Sequence, residues 1–336
     1  MSLYLAIAGS CAEQKANAVT VNTDLYNLAS VKAIHETAGN NAVGINFNAG
    51  AANSAWLTGM QVIGTDMYIS NRGNKNQFDS GHVFFSKLPI SSTGNGAVVR
   101  QNSTGLSINS CEGFGLDSTA TKIIIADHHA NGVRSGTLSQ SGSSLTVTLN
   151  GSSLYAGGGI RYARWNDDGS KYYFGYQNVP LNGKSKIKQY STSTNYVVQN
   201  SDTLLGSVDL PHDIISDLIF NSDGTKMYLA EHDGYIHEYD LSTAYDITSG
   251  TLVTTLDLTS FYGTIGSSPW WPSSNTGNGF FLSGISWNAD GSKLYVSNIY
   301  ASTLQSKVNG TVNPATVTGD GGTRTNTMPV IEFRVQ

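Results

Sequence analysis

Charge is scarce in this chain, and the scarcity excludes whole classes of function. Lys and Arg number 19 and Asp and Glu 24 among 336 residues, 13% in all, with a net charge of -5. The basic residues are scattered singly, whereas a nucleic-acid surface needs a basic stripe to displace counterions along the phosphates. Nucleic acid is therefore not an expected partner. Long apolar runs are also missing: none reaches the roughly 18–20 residues that a membrane-spanning helix requires, and no heptad pattern stands out. Cysteine is nearly absent. Cys11 and Cys111 alone make neither a metal site nor a disulfide framework, and they read as two free, mostly buried thiols. The first residues, 1–11, are apolar but lack a basic leader and are too short for a signal peptide. Leu3 to Ile7 read as a first strand, and the chain is expected to keep its own N-terminus.

What the chain does have is Ser, Thr, Asn, 37 Gly and 17 Tyr, a mixture that favours strands and turns over helices. It also has a repeat. Arg164-Trp165-Asn166-Asp167-Asp168-Gly169-Ser170-Lys171-Tyr172-Tyr173, Phe220-Asn221-Ser222-Asp223-Gly224-Thr225-Lys226-Met227-Tyr228 and Trp287-Asn288-Ala289-Asp290-Gly291-Ser292-Lys293-Leu294-Tyr295 share aromatic-Asn-x-Asp-Gly-Ser/Thr-Lys-x-Tyr. Each reads as strand, tight turn, strand: Asn and Asp bond to local backbone, and Gly takes the positive φ. Weaker copies run from Gly64 to Ile69 and from Gly115 to Ile125. The anchors at 66, 122, 171, 226 and 293 are spaced by 56, 49, 55 and 67 residues.

Further strands repeat too: Ile236-His237-Glu238-Tyr239 aligns with Ile187-Lys188-Gln189-Tyr190 and with Val330-Ile331-Glu332-Phe333. About 50 residues and four short strands per unit is what a β-propeller blade requires, because a lone blade cannot bury both its faces. The expected fold is all-β, a single β-propeller over 1–336. Counting residues 1–7 as a partial copy gives six blades, with five or seven open, and the termini are expected to close one blade between them.

The Asn-x-Asp-Gly-Ser/Thr-Lys-x-Tyr repeats resemble those of WD40-like and YVTN-type propellers. The phrase Glu238-Tyr239-Asp240-Leu241-Ser242-Thr243-Ala244-Tyr245-Asp246-Ile247-Thr248-Ser249 resembles the blade ends of propeller repeats in tailed-phage and marine microbial structural proteins. That resemblance implies a virion setting: a tail, fibre or head-surface component within a symmetric assembly, touching other virion proteins and a cell-surface glycan. An extracellular location is the alternative. Fold is nonetheless better specified than role, because propellers host many unrelated functions.

Labelling the strands of a unit A to D, the A–B and C–D connections share one rim, and the B–C and D–A connections share the other. The second rim receives the unusual segments, including long loops at 259–280 and 298–328. The first of these holds Phe261, Tyr262, Trp270 and Trp271, either a stacking platform for a sugar or partner or a cap on the blade edges. The second has no clear strand pattern and reads as an assembly arm or a free loop. Asp127, His128, His129, His212, Asp213, Glu231 and His232 fall on the same rim. Imidazoles and carboxylates there are the material for a hydrolase or lyase acting on a sugar or lactone, or equally for ordinary polar turns. The Asp-Gly turns lack the ligand spacing of an EF-type calcium loop. No catalytic residue, metal or cofactor is assigned, and a non-enzymatic binding or structural role is the leading expectation.

Overall fold

The computed structural model describes residues 28–34, 57–71, 82–89, 99–101, 106–107, 111–127, 132–142, 144–155, 159–177, 184–212, 214–258, 282–298, 316–319, 322–325 and 330–335. Its strands appear in chain order as β1 (Leu28–Ile34); β2 (Leu57–Ile63), β3 (Asp66–Asn71), β4 (His82–Pro89), β5 (Val99–Gln101) and β6 (Leu106–Ser107); then β7 (Cys111–Leu116), β8 (Lys122–Asp127), β9 (Gly132–Ser141) and β10 (Ser144–Tyr155). They continue as β11 (Ile160–Trp165), β12 (Lys171–Gln177), β13 (Ser185–Ser191) and β14 (Thr203–Asp209); β15 (Ile215–Phe220), β16 (Lys226–Glu231), β17 (Tyr235–Leu241) and β18 (Gly250–Asp257); and β19 (Leu282–Trp287), β20 (Lys293–Asn298), β21 (Thr316–Gly319), β22 (Gly322–Thr325) and β23 (Val330–Val335).

β11 to β14 and β15 to β18 are antiparallel sheets in simple sequence order. β2 to β5 and β7 to β10 follow the same order and join at their outer edges through a short parallel β5–β10 pairing. The last sheet runs β19-β20-β23-β1, so its outermost strand comes from the opposite end of the sequence. The first strands of the units, β2, β7, β11, β15 and β19, contact one another in cyclic order, β19 returning to β2. Four-stranded sheets set radially about such a ring are a β-propeller. Each second strand begins at a repeat anchor, Asp66, Lys122, Lys171, Lys226 and Lys293. The partial copy at 1–7 and Cys11 lie outside the described residues. Among those residues no helix is long and apolar enough to cross a membrane.

The second strands are buried on both faces, which is why they read as apolar in nearly every position rather than alternating. On β12, Tyr172 and Phe174 pack toward the preceding sheet with Ile124, Ala126 and Val133. Tyr173, between them, points the other way, toward Ile215, Leu218, Met227 and Leu229. The two-residue period of a strand thus gives each blade one apolar side for each neighbour.

The repeated turn explains its own letters. The Oδ1 atoms of Asn166, Asn221 and Asn288 accept the amides of Lys171, Lys226 and Lys293 at 2.8, 2.9 and 2.9 Å. Asp168, Asp223 and Asp290 accept the amides of Ser170, Thr225 and Ser292 two residues on. In the weaker second copy Asp117 takes the Asn place, accepting from Lys122 N at 2.7 Å. Gly224, at φ +73°, sits beneath Tyr245 of the blade-end phrase, and a Cβ there would lie 2.3 Å from the Tyr245 ring. Tyr245 itself adopts φ +59°, and its amide donates to Gly224 O at 2.8 Å. Tyr196 covers Gly169 in the same way one blade earlier. The blade-end phrase is therefore a clamp from the C–D connection onto the A–B turn. The 298–328 segment departs from the expected lack of strand pattern: β21 and β22 pair antiparallel, since Thr316-Val317-Thr318 and Thr323-Arg324-Thr325 supply β-branched residues.

At the axis, polar side chains join the innermost strands. Arg164 on β11 donates to Asp217 on β15 through Nε and Nη2 at 2.9 and 2.5 Å, and both residues are about as buried as the apolar core. The same guanidinium reaches Gln61 Oε1 at 2.8 Å and Met60 O at 3.0 Å on β2. Gln61 exchanges two bonds with the Leu116 backbone on β7, and Asp217 Oδ2 accepts Ile285 N on β19 at 3.0 Å. Burial pushes the Asp217 carboxyl above its ordinary value, against the opposing pull of Arg164 and of the Ile285 and Leu218 amides.

Two stability outcomes follow from this architecture. Asp217→Ala strands a buried guanidinium and is expected to cost about 3–5 kcal/mol in urea unfolding, whereas Arg164→Met/Asp217→Leu together cost less than Asp217→Ala alone. An equal or larger loss in the double variant would contradict that account. Gly224→Ala, forced into a left-handed conformation beneath Tyr245, is expected to lower stability by about 1–2 kcal/mol or more; the same exchange at Gly151, where a Cβ meets nothing, serves as the control.

Candidate functional site

The ends of the innermost strands and the turns that follow them surround a cavity of about 350 Å³ at one mouth of the axis. Trp165, Phe220, Trp287 and Tyr245 give it aromatic walls, and the turn residues Asn166, Asn221 and Asn288 give it amide edges. These amides are already engaged with their own turns, so they hold the wall in shape. Of the three charged lining residues, Arg164 is occupied by Asp217 and Asp117 by its local bonds, while Asp167 is exposed at the mouth. Burial tends to raise the Asp117 carboxyl, but bonds from Lys122, Thr119 and Thr121 outweigh it and hold the group below its usual range. A concave, aromatic and mostly neutral surface with fixed polar edges is suited to binding. Sequence reading did not single out this cavity. The repeat displays the Asn and aromatic positions, but only the ring of blades turns five separated turns toward one point.

Of the titratable residues expected on the other rim, Asp127, His212, Glu231 and His232 are described, and the structure divides them. Glu231, the last residue of β16, shares a face with Met227 and Leu229 and looks toward the preceding blade. His237 on β17 meets it, Nε2 to Oε2 2.7 Å. His212, beyond the end of β14 in that preceding blade, brings Nδ1 to 3.9 Å from the same carboxylate oxygen. The His212 and His237 rings stack with centroids 3.6 Å apart. Thus His212 and Glu231 converge, and the residue that completes the group, His237, was visible in sequence only as a strand position aligned with Lys188 and Ile331. Its signal was a histidine two positions before the aromatic that recurs in the repeat, here Tyr239.

The remaining expected residues go elsewhere. Asp127, at the end of β8, is buried and pairs at 3.6 Å with Arg134 Nε on β9 of its own sheet, away from that group. His232 follows Glu231 but is bonded through its backbone to Ile214 O and Leu282 N, bridging the fourth and fifth sheets near Arg161 and Glu112. His128, His129, Asp213, Phe261, Tyr262, Trp270 and Trp271 lie outside the described residues. Cys111 is buried, and burial pushes its thiol above the ordinary value, leaving it an inert core group.

No family model and no curated protein matches the chain. Among solved structures it is similar to a chain of the nidogen–laminin complex, with a TM-score of 0.42 and 10% identity over 73% of both chains. It is also similar to Kuenenia stuttgartiensis hydrazine synthase, with a TM-score of 0.40 and 12% identity over 76% of this chain and 58% of that one.

His232, half-buried as a residue but with its ring Nδ1 shielded from solvent, sets a pH dependence. Burial, aided by Arg161 and opposed by Glu112, lowers its imidazole to about 3. The unfolded chain therefore binds a proton near pH 6.5 that the folded chain refuses, so the associated stability is complete above about pH 6.5 and is lost as pH falls toward 3. Urea midpoints measured from pH 7 to 5 should fall, with a contribution approaching about 1.4 kcal/mol per pH unit from this group, and the decline should be shallower in His232→Asn. Parallel curves for the two proteins would remove His232 as the cause.

Proposed function

We propose that this chain is a non-enzymatic structural or host-attachment protein of a phage virion, a tail, fibre or head-surface component that engages a protein partner or glycan through one propeller face. The observation that carries the binding role is the axial cavity: aromatic walls and amide edges around a mouth whose Arg164 and Asp117 are already committed to internal partners. Sugar rings stack on aromatic faces and exchange hydrogen bonds with neutral amides, and neither contact asks for a titrating group. The virion setting rests on the blade-end phrase 238–249 and its resemblance to phage structural repeats. The aromatic loop with Phe261, Tyr262, Trp270 and Trp271 is a second contact surface in this reading. Other virion proteins are the protein partners, within a symmetric assembly.

One observation favours a second reading, a hydrolase or lyase acting on a sugar or lactone. His237 and Glu231 form a hydrogen-bonded imidazole–carboxylate pair of the kind that moves protons in such reactions.

The test compares the intact protein with Ala289→Trp, which fills the cavity mouth from an exposed turn position without hollowing the core, and with Trp270→Ala/Trp271→Ala, on glycan arrays and whole cells. Binding that is lost, by about tenfold or more, in Ala289→Trp supports the axial face. Loss only in the double Trp variant moves the contact to the loop. Absence of binding, together with turnover of sugar or lactone substrates that Glu231→Gln abolishes, would overturn the proposal in favour of the enzyme.

A further inference from the structure

His212, Glu231 and His237 lie between two blades, and their geometry is independent of the axial cavity. Three donor atoms, one from each residue, lie within 4.8 Å of one another. The two strand residues are rigidly placed: β16 and β17 are fully paired there, with Glu231 opposite Tyr235 and Leu229 opposite His237. His212 is held from the other blade by its carbonyl, which accepts Ser185 N at 3.1 Å, while Leu210 N donates to Ser185 O at 2.9 Å.

The nitrogens turned away from the carboxylate are also occupied. His237 Nδ1 meets Thr255 Oγ1 at 2.9 Å, and His212 Nε2 meets Tyr239 Oη at 2.6 Å. Such outer bonds fix the tautomer and direction of each ring, which is the support that metal-bound histidines ordinarily have. Two imidazoles and one carboxylate form a donor set suited to zinc-class cations, which sit about 2.0–2.2 Å from each donor.

We infer that His212, Glu231 and His237 form a divalent-cation site of the zinc class, and that the ion clips the third blade to the fourth. In the metal-free arrangement His237 Nε2 shares a proton with Glu231 at 2.7 Å. The ion takes the place of that proton at Nε2, and the proton passes to Nδ1, which then donates to Thr255 Oγ1. The stacked rings do not aim at one point, and binding therefore tilts one ring within the stack. His212 is the one that tilts, pivoting about its bond to Tyr239 Oη, because it lies on a connection rather than within a strand. Cross-linking two blades stabilises the folded chain by mass action, since the unfolded chain does not hold the three donors together.

The test uses the full chain, stripped by a chelator and titrated with Zn(II), with Co(II) as the spectroscopic probe. One ion per chain is expected, with visible absorption of four- or five-coordinate Co(II) and a higher thermal unfolding midpoint. His212→Ala and Glu231→Gln should abolish stoichiometric binding. Thr255→Val and Tyr239→Phe, which keep all three ligands, should weaken it about 10–100-fold. The second pair keeps the test decisive if the first pair folds poorly. The chain has 7 His, so binding that all four variants leave unchanged would assign the ion elsewhere and overturn the site. Failure of Zn(II) and Co(II) to bind the unmodified chain would overturn it equally. Neither result bears on the axial cavity.

Discussion

The buried Arg164–Asp217 pair is the constraint around which the ring is arranged. A propeller meets at its axis with the innermost strands of blades that are otherwise held together by apolar packing, which is non-directional and leaves the angle between blades loosely specified. A bidentate ion pair between buried side chains is directional. Through Arg164, Asp217, Gln61 and the backbones of Met60, Leu116 and Ile285, all five described innermost strands enter one hydrogen-bonded unit. Desolvating both charges is costly, and the geometry offsets that cost by filling nearly every direction around the carboxylate and guanidinium.

Outward from the axis the same sequence device solves two problems. The Asn-x-Asp-Gly turn reverses the chain within a blade and, because Tyr196 and Tyr245 lie on Gly169 and Gly224, also anchors the outer connection of that blade to its inner one. Lys226, the last letter of the turn, spans from β16 to Glu238 and Asp240 on the next strand at 2.5 and 2.7 Å. Each blade is thereby stiffened before it meets its neighbours. The rims differ as a result. One carries tight, self-satisfied turns enclosing a shaped cavity, and the other carries longer connections that bring groups of different blades together.

Much of this was legible in the residues. The second strands start at the anchors because the Lys amide is the partner of the turn Asn, a local bond that leaves a fixed spacing. The units are four-stranded because a period near 50 residues has room for little else. The proposed site was only half legible. Glu231 and His212 could be named from their connections, but His237 sits inside a strand, where sequence shows a polar residue in an apolar pattern and does not show which neighbour it faces. Asp127 and His232 looked equivalent to them in pattern and went elsewhere, Asp127 to Arg134 in its own sheet and His232 to the junction of the fourth and fifth sheets.

Local chemistry therefore came from the sequence by itself: strands, turns, repeat length and the all-β class, since each depends on residues within a few positions of one another. Convergence was decided by tertiary structure alone. Arg164 meets Asp217 across 53 positions and Gln61 across 103, and His212 meets His237 only because two blades pack at one angle and not another. Such contacts depend on the summed packing of whole sheets, which no short pattern encodes.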